Sequence, residues 1–190
     1  MPISWISFSS LIAFLPAMID HGKGVTLEPV EEKNLETLRK WRNDYAIWKT
    51  CRQNDLIDAP SHRRWFERIS LDPTIKMYQI HHKDVDGPIG VCGLTSIDLY
   101  NRRAEFSVYI DPIRQGAGFG SAALKTLLSH GFLTLGLNSI HGETFEGNRA
   151  IEAFERLGFT KEGTRRAFYF RGGKFLDAHL VSMLASEWKG

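Results

Sequence analysis

Residues 105–121 constrain the fold more than any other part of the chain; they read Glu-Phe-Ser-Val-Tyr-Ile-Asp-Pro-Ile-Arg-Gln-Gly-Ala-Gly-Phe-Gly-Ser. The first six are mostly β-branched or aromatic and predict a strand, which Pro112 ends because proline has no N–H for a β-ladder. After Ser121, Leu124 and Leu128 lie at helical spacing, as do Ala123 and Leu127. The segment therefore predicts a strand, a turn and a helix in direct succession.

Three glycines, at positions 116, 118 and 120, lie in this turn. Without a Cβ, backbone N–H groups can point into a common concavity, to which the helix adds its free N–H groups and positive dipole end. Such a turn suits a phosphate or a pyrophosphate. The lysine of a Walker P-loop is absent. A dinucleotide fingerprint fits poorly, since Ser121 stands at its third glycine. A purely structural turn remains open.

The remaining pattern predicts the element order β-α-α-β-β-β-α-β-α-β-β, a mixed α/β fold. Ser61 is the predicted N-cap of the third helix, and Gly172-Gly173 predicts a hairpin. We expect a mostly antiparallel twisted sheet flanked by helices on both faces. Strands are predicted at 24–30, 76–82, 89–97, 105–110, 139–145, 165–171 and 175–184, and helices at 31–41, 45–51, 61–71, 118–135 and 148–157.

The composition predicts a globular protein: 43% of the 190 residues are hydrophobic and 24% are charged. We expect one domain at 23–190 and an apolar extension at 1–22, in which Pro16 argues against a membrane-spanning helix. The net charge of +2, with acidic and basic residues interleaved, disfavours nucleic acid as a partner. Cys51 and Cys92 have neither metal-ligand spacing nor a disulfide framework, so we expect reduced thiols, no metal and a cytoplasmic location.

Two motifs in order resemble the GNAT superfamily of N-acetyltransferases. Residues 115–120, Gln-Gly-Ala-Gly-Phe-Gly, are similar to its Gln/Arg-x-x-Gly-x-Gly/Ala signature. Residues 148–150, Asn-Arg-Ala, followed by Phe-Glu-Arg-Leu-Gly-Phe at 154–159, resemble its Asn…Ala…Tyr-Glu-Lys-Leu-Gly-Phe segment. The resemblance covers about residues 24–188, and its tail is similar to the branch that acetylates protein N-termini and sugar amines.

The resemblance implies a GNAT-like acyl-CoA N-acyltransferase fold with acetyl-CoA as cosubstrate. The N–H groups of 116–121 would hold its pyrophosphate, and the strand edge at 106–110 would pair with the pantetheine amides. Asn148 would hydrogen-bond the CoA arm. Asn148 lies two residues before Ala150, whereas the family usually has three, and many relatives have a tyrosine at the position of Phe154. The CoA-binding residues so implied are Phe106, Val108, Tyr109, Ile110, Gln115, Gly116, Ala117, Gly118, Phe119, Gly120, Ser121, Asn148 and Phe154.

Acetyl transfer to an amine requires a base, a site for the oxyanion and an acid for the thiolate. Glu105 is the candidate base, and Glu143 on the following strand is the second carboxylate. Each is also compatible with an ordinary solvated position on a strand. A backbone N–H near Val108 or Tyr109 is the candidate oxyanion donor. Since Phe154 has no proton to give, Tyr109, Tyr169 or water remain as candidate acids.

Our expectation for the acceptor depends on a cluster of basic and aromatic residues in and near the predicted helices at 31–41 and 61–71. Guanidinium groups match phosphates and carboxylates, and indoles offer a stacking face. We expect the primary amine of an amino sugar, for example a nucleotide-linked one, or of another small metabolite. A protein N-terminus is the alternative acceptor, and a CoA-binding regulatory module without turnover is the alternative class. A homodimer is plausible from the exposed sheet edge. The residues of this cluster are Trp41, Arg42, Asn43, His62, Arg63, Arg64 and Trp65.

Overall fold

The computed structural model describes residues 24–53 and 55–190, and the apolar extension predicted at 1–22 lies outside them. Seven strands lie in these ranges: β1 (Val25–Pro29), β2 (Lys76–His82), β3 (Pro88–Asp98), β4 (Arg103–Ile110), β5 (Ser139–Phe145), β6 (Thr160–Arg171) and β7 (Lys174–Leu184). They form one sheet in the order β1-β2-β3-β4-β5-β7-β6. Only the β4–β5 pair is parallel among these neighbours. The predicted mixed, mostly antiparallel sheet is confirmed.

The helices of the described residues are α1 (Leu35–Asn43), α2 (Tyr45–Trp48), α3 (Ala59–Leu71), α4 (Phe119–Ser129) and α5 (Ala150–Leu157). Two of them are shorter than predicted, since α2 is a single turn and α4 passes into a π-helical turn at His130–Thr134. The prediction that Ser61 caps α3 is wrong. Asp58 is the N-cap, and its Oδ1 accepts a hydrogen bond from the Ser61 N–H at 2.6 Å.

The two faces of the sheet have different contents, because side chains alternate along each strand. On β4, Phe106, Val108 and Ile110 point into the apolar core that α4 and α5 cover. The intervening side chains of β4, including Tyr109, face the opposite side, where the Arg42 guanidinium of α1 lies over its ring at 5.4 Å. Apolar side chains therefore anchor β4 from one face and leave its polar side chains on the other.

The sheet opens between β4 and β5. These strands pair at three positions, from Arg103 with Ser139 to Glu105 with His141, and the described residues show no further pairing between them. The Phe106 ring lies at the point of separation, against Gly142 of β5. A Cβ on Gly142 would come within 2.5 Å of that ring, so only glycine fits there. A backbone edge of β4 is thus left open beyond Glu105.

A bulge interrupts the β6–β7 hairpin. Arg165 pairs with Ala178 and Tyr169 pairs with Leu176, so three residues of β6 lie opposite Asp177 alone. In the bulge, Ala167 has a φ of 50° and donates its N–H to Asp177 Oδ1 at 2.7 Å. The extra residues shorten the distance along the sheet between Arg165 and Tyr169.

Candidate active site

A cleft of about 290 Å³ lies where β4 and β5 separate. It is lined by both strands, by the start of α5 and by the loop before α3. It has two chemically different halves. One half borders α5; because CoA contacts are predicted there, we call it, together with the glycine turn that follows β4, the CoA half. The other half borders α1, β6 and residues 50–53, and we call it the acceptor half.

In the CoA half, the glycine turn has the backbone conformation that its sequence predicts. Gly116 and Gly118 have φ values of 81° and 85°, a region that favours glycine. Gly118 is the N-cap of α4, and no side chain caps this helix terminus. Since the first N–H groups of a helix have no partner within it, the first turn of α4 has donors for an anion. The Gln115 side chain instead donates to the carbonyl of Ile110 at 3.2 Å.

Asn148 and Phe154, two of the positions predicted to contact CoA, both line the cleft. The Asn148 Oδ1 accepts a hydrogen bond from the Ala150 N–H at 3.0 Å and so supports the start of α5. Its side-chain NH2 is the group that remains for a ligand. Phe154 is buried and packs edge-on against Phe106, with ring centroids 5.1 Å apart, and against Phe159. These rings form an apolar wall in the place where a tyrosine was expected from the family pattern.

In the acceptor half, Glu105 and Glu143 share one cation. The Arg52 Nη2 lies 2.7 Å from Glu105 Oε1, and its Nε lies 3.8 Å from Glu143 Oε1. The Glu105 side chain is 18% exposed and the Glu143 side chain 7% exposed. Two carboxylates on adjacent strands therefore face one another across the open end of the cleft, as the alternation along β4 and β5 allows.

Glu143 has two further partners, both from β6. Arg165 Nη1 lies 3.0 Å from Glu143 Oε2, and the Tyr169 hydroxyl donates to Oε1. Burial, together with the hydrogen bond to the Glu143 carboxylate, raises the pKa of Tyr169 to about 12. Because of the bulge at Ala167, one carboxylate is held from two positions of the same strand.

The loop that carries Arg52 is held by two other arginines. Arg171 Nη2 donates to the carbonyls of Cys51 at 3.0 Å and of Arg52 at 2.6 Å. Arg42 donates to the Cys51 Sγ at 2.8 Å and to the Gln53 side chain at 3.3 Å. Burial raises the pKa of the Cys51 thiol despite the nearby guanidinium of Arg42. The thiol is therefore neutral at pH 7 and does not balance the charge of Arg42.

Tyr109, the candidate acid, also lines this half of the cleft. Burial raises the pKa of its phenol, although the Arg42 guanidinium acts in the opposite direction. The phenol is thus protonated near pH 7, as a proton or hydrogen-bond donor must be.

The acceptor cluster predicted on the early helices is largely not in the cleft. Of its seven residues only Arg42 lines it. His62 is buried and stacks on Trp65 at 4.8 Å, and Arg63 pairs with Glu32. Asn43 exchanges two hydrogen bonds with the backbone of Ile57 and so fixes the loop before α3. These residues have structural partners because α3 lies away from the opening of the sheet.

Several cleft residues, among them Arg52 and Gln53, could not be predicted from the sequence. They lie in a loop, and nothing in their local pattern distinguishes them from solvated residues. Gly142 carried a usable signal, since a glycine inside a strand often marks close approach of another group. Thr144 is another cleft residue that the sequence did not single out, and its buried hydroxyl has no hydrogen-bond partner among the described residues.

Comparison with known proteins settles the family. The acetyltransferase (GNAT) domain family matches residues 25–160. The chain belongs to this family. An uncharacterized N-acetyltransferase, p20 of Bacillus licheniformis, is 29% identical over 87% of this chain and 96% of its own length. The spermidine N(1)-acetyltransferase of Vibrio cholerae is 31% identical over 65% of this chain and 80% of its own.

The fold is also similar to that of a solved N-acetyltransferase structure. A crystal structure of spermidine N-acetyltransferase from Vibrio cholerae, in complex with CoA and spermine, superposes with a TM-score of 0.82 at 23% identity. The match covers 87% of this chain and 98% of that one. The resemblance read from the two glycine-containing motifs is therefore confirmed. The protein is an acetyl-CoA-dependent N-acetyltransferase.

The described residues fit the cosubstrate. The open edge of β4 and the uncapped start of α4 offer backbone donors, and Phe154 offers an apolar wall, which are the kinds of group that a CoA molecule contacts. In residues 24–53 and 55–190, no group of three or more His, Cys, Asp or Glu side chains has the arrangement of a metal site. None of the described helices has the length and apolar character needed to span a membrane.

Proposed function

We propose that this enzyme acetylates the primary amine of a small metabolite, an amino sugar or a comparable amine, by direct attack in a ternary complex. One observation carries this proposal: a cation, the Arg52 guanidinium, already lies between the carboxylates of Glu105 and Glu143. An acceptor ammonium has the same charge and fits the same carboxylates. The small volume of the cleft, about 290 Å³, favours a small acceptor.

We propose Glu105 as the general base. Its carboxylate has Arg52 as its one charged partner among the described residues, whereas Glu143 is engaged by Arg52, Arg165 and Tyr169. The less engaged carboxylate keeps lone pairs free for the proton that the amine loses, directly or through a water. Glu143 then serves as a fixed anion that orients the acceptor half.

Acetyl-CoA supplies the thioester carbonyl; the amine lone pair forms the new C–N bond there, the C–S bond breaks, and CoA leaves as a thiolate. Of the two candidate oxyanion donors, the Tyr109 N–H points towards β3, in phase with the Asp111 N–H that donates to the Ile89 carbonyl of the same antiparallel ladder. We therefore propose that the Val108 N–H, on the open edge of β4, stabilises the carbonyl oxygen as it becomes negative. The Tyr109 phenol is protonated and is our candidate donor to the thiolate. The protein mainly holds two reactants in line, an effect that reaches roughly 7–11 kcal/mol in well-oriented systems.

For the cosubstrate, we propose that the N–H groups of residues 116–121 bind the pyrophosphate. The edge of β4 at residues 106–110 then pairs with the pantetheine arm as an added strand would. The Asn148 side-chain NH2 donates to the same arm. The side chains of Phe106, Val108 and Ile110 point into the core, so their contribution comes from the main chain.

A thiol-release assay tests the proposal. Purified protein is supplied with acetyl-CoA and, in turn, with amino sugars, polyamines, amino acids and peptides with free N-termini. We expect acceptor-dependent release of CoA thiol with at least one small amine, and a shift in the acetylated product's mass by one acetyl group. Raised thermal stability with CoA and no release with any amine would favour a CoA-binding module instead.

Spermidine is the second candidate acceptor. The observation that favours it is the 31% identity to the spermidine N(1)-acetyltransferase of Vibrio cholerae, together with the two facing carboxylates. A protein N-terminus is the third, and the peptide arm of the same assay tests it. The predicted homodimer stays a prediction, and sedimentation velocity at two protein concentrations measures it.

A further inference from the structure

The charges around the acceptor half do not balance. Two carboxylates, those of Glu105 and Glu143, face the guanidinium groups of Arg52 and Arg165. These four groups neutralise one another. Arg42 lines the same space, and Arg171 lies over the ring of Phe145, which also lines it. Neither contacts a carboxylate in the described part of the chain; their partners are a thiol, an amide and backbone carbonyls. The acceptor half therefore carries two positive charges in excess.

The two guanidinium groups that carry the excess positive charge are held in place by neighbouring aromatic rings. The Arg171 guanidinium lies over the rings of Phe145 and Tyr169 at 5.4 and 5.6 Å, and its buried Nε has no hydrogen-bond partner among the described residues. Arg42 lies over the ring of Tyr109 at 5.4 Å. The next carboxylate on the hairpin, Asp177, is engaged by the N–H of Ala167. Among the described residues, no carboxylate forms an ion pair with Arg42 or Arg171.

Binding of an amine would increase the imbalance. When an acceptor ammonium takes the place between Glu105 and Glu143, the Arg52 guanidinium loses its two partners. Arg52 and Arg165 are each about half exposed at the mouth of the cleft, with side-chain exposures of 53% and 48%, and have unused N–H donors there. A guanidinium in this position matches a phosphate or carboxylate through paired hydrogen bonds. A polyamine brings only further positive charge.

We propose that the acceptor carries an anionic group, phosphate or carboxylate, beside its primary amine, and that Arg52 and Arg165 bind this group at the mouth of the cleft. This inference rests on the proposed function, since it names the class of amine for the same site. The ammonium group of the acceptor binds between the two glutamates. Its anionic group then takes their place as the partner of Arg52 and Arg165. An amino sugar phosphate and an acidic amino acid both fit this description.

Matched pairs of acceptors test the inference in the thiol-release assay. Glucosamine 6-phosphate is compared with glucosamine, aspartate with its diamide, which has no carboxylate, and both pairs with spermidine. We expect kcat/KM to be at least tenfold higher for one anionic member than for its neutral partner and for spermidine. The preference should also shrink as salt rises from 50 to 500 mM, because screening weakens the attraction of exposed charges. The two pairs separate phosphate from carboxylate.

Arg165→Gln supplies the variant and Arg156→Gln the control, since Arg156 is an exposed arginine of α5 whose partner is Glu152. Arg165→Gln should remove the preference for the anionic acceptor by raising its KM, with the KM for acetyl-CoA unchanged. Arg156→Gln should leave both constants as they are. Equal efficiency within both pairs, or a preference for spermidine, would overturn the inference while leaving the acetyltransferase proposal intact.

Calorimetry with CoA-loaded protein provides a reading that does not need turnover. In at least one pair the anionic member should bind more tightly than its neutral partner, and the difference should disappear in Arg165→Gln. If no amine is acetylated, the proposed function fails by itself. In that case tighter binding of an anionic member would still support the anion site, and equal binding within both pairs would reject it.

Discussion

The two halves of the cleft are built from different parts of the polypeptide. The CoA half consists mainly of main-chain groups: the glycine turn at 116–120, the uncapped start of α4 and the open edge of β4. The acceptor half consists of side chains from α1, β4, β5, β6 and a loop, which engage one another in a network of charges. A constant ligand can be held by the backbone, whereas side chains can vary with the acceptor.

The largest effect should come from the acceptor half, at Glu105. Glu105→Gln keeps the size of the side chain and its place beside Arg52 but removes the proposed base. General-base catalysis contributes roughly 10²- to 10⁴-fold, so we expect kcat to fall by about 10²-fold or more. The KM for acetyl-CoA should not change. Steady-state kinetics with both substrates varied measures this.

Glu146→Gln is the matched control, because Glu146 is an exposed carboxylate immediately after β5. It should leave kcat within experimental error of the parent enzyme. If Glu105→Gln has no more effect than this control, Glu105 is not the base, and Glu143 becomes the carboxylate to test.

The second largest effect should come from the CoA half and should appear in the KM for acetyl-CoA rather than in kcat. Gly118→Ala places a Cβ at a residue with a φ of 85°. A left-handed conformation costs a residue with a side chain about 1–2 kcal/mol, which corresponds to roughly 5- to 30-fold in affinity if the turn relaxes. We expect the KM for acetyl-CoA to rise by that factor and the acceptor KM to stay unchanged. Gly163→Ala, at a glycine with open space and no left-handed φ, should change neither.

An increase in the acceptor KM in Gly118→Ala would contradict the separation of the two halves. So would an unchanged affinity for CoA, which would show that the turn is structural and that the pyrophosphate binds elsewhere. Calorimetric titration with CoA gives the affinity directly, so that the interpretation does not depend on KM.

The difference in construction also explains what the sequence could predict. The strand, the glycine turn and the start of α4 are consecutive in the chain, so their arrangement follows from local rules on glycine and on helix termini. The motif at Asn148 and Phe154 is equally local. The pattern of apolar residues predicted the strands and the order of elements, and with them the sheet.

The acceptor half required information that no local pattern carries. Arg52 meets Glu105 and Glu143 only because Arg171, more than a hundred residues later, holds the backbone of its loop. Trp65 and His62 suggested a binding surface by their type, but they stack on each other in α3. A cluster of residue types on one helix does not show which face of that helix meets the opening in the sheet.

The bulge in β6 gives a third prediction, which tests how the acceptor network is aligned. Asp177→Ala removes the acceptor for the Ala167 N–H, a hydrogen bond to a charged group worth about 1.5–3 kcal/mol. We expect the acceptor KM to rise by roughly fivefold, about 1 kcal/mol, as Arg165 and Tyr169 move away from Glu143. The KM for acetyl-CoA should stay the same. Denaturant unfolding should show a loss of stability.

Ala167→Gly distinguishes alignment from a general loss of structure. Glycine adopts a φ near 50° without strain, so the second substitution should restore the bulge, and with it the acceptor KM, in the Asp177→Ala background. The titration of Tyr169, taken as the ultraviolet difference from Tyr169→Phe, gives a separate reading. Its pKa of about 12 should fall towards the ordinary value in Asp177→Ala, because the hydrogen bond to Glu143 weakens. A double variant that stays impaired would contradict this role.

At Phe154, in the CoA half, we expect no large effect. Phe154→Tyr adds a phenol at the position of the usual family tyrosine, in a ring cluster that already fills the space. A thiolate is a good leaving group, and Tyr109 is a protonated phenol in the same cleft. We therefore expect kcat to change by no more than about tenfold, or 1.4 kcal/mol. Phe159→Tyr, in the same cluster but not lining the cleft, controls for the cost of burying a hydroxyl. A gain much above tenfold in Phe154→Tyr alone would show that proton donation limits this enzyme and that Tyr109 does not supply it.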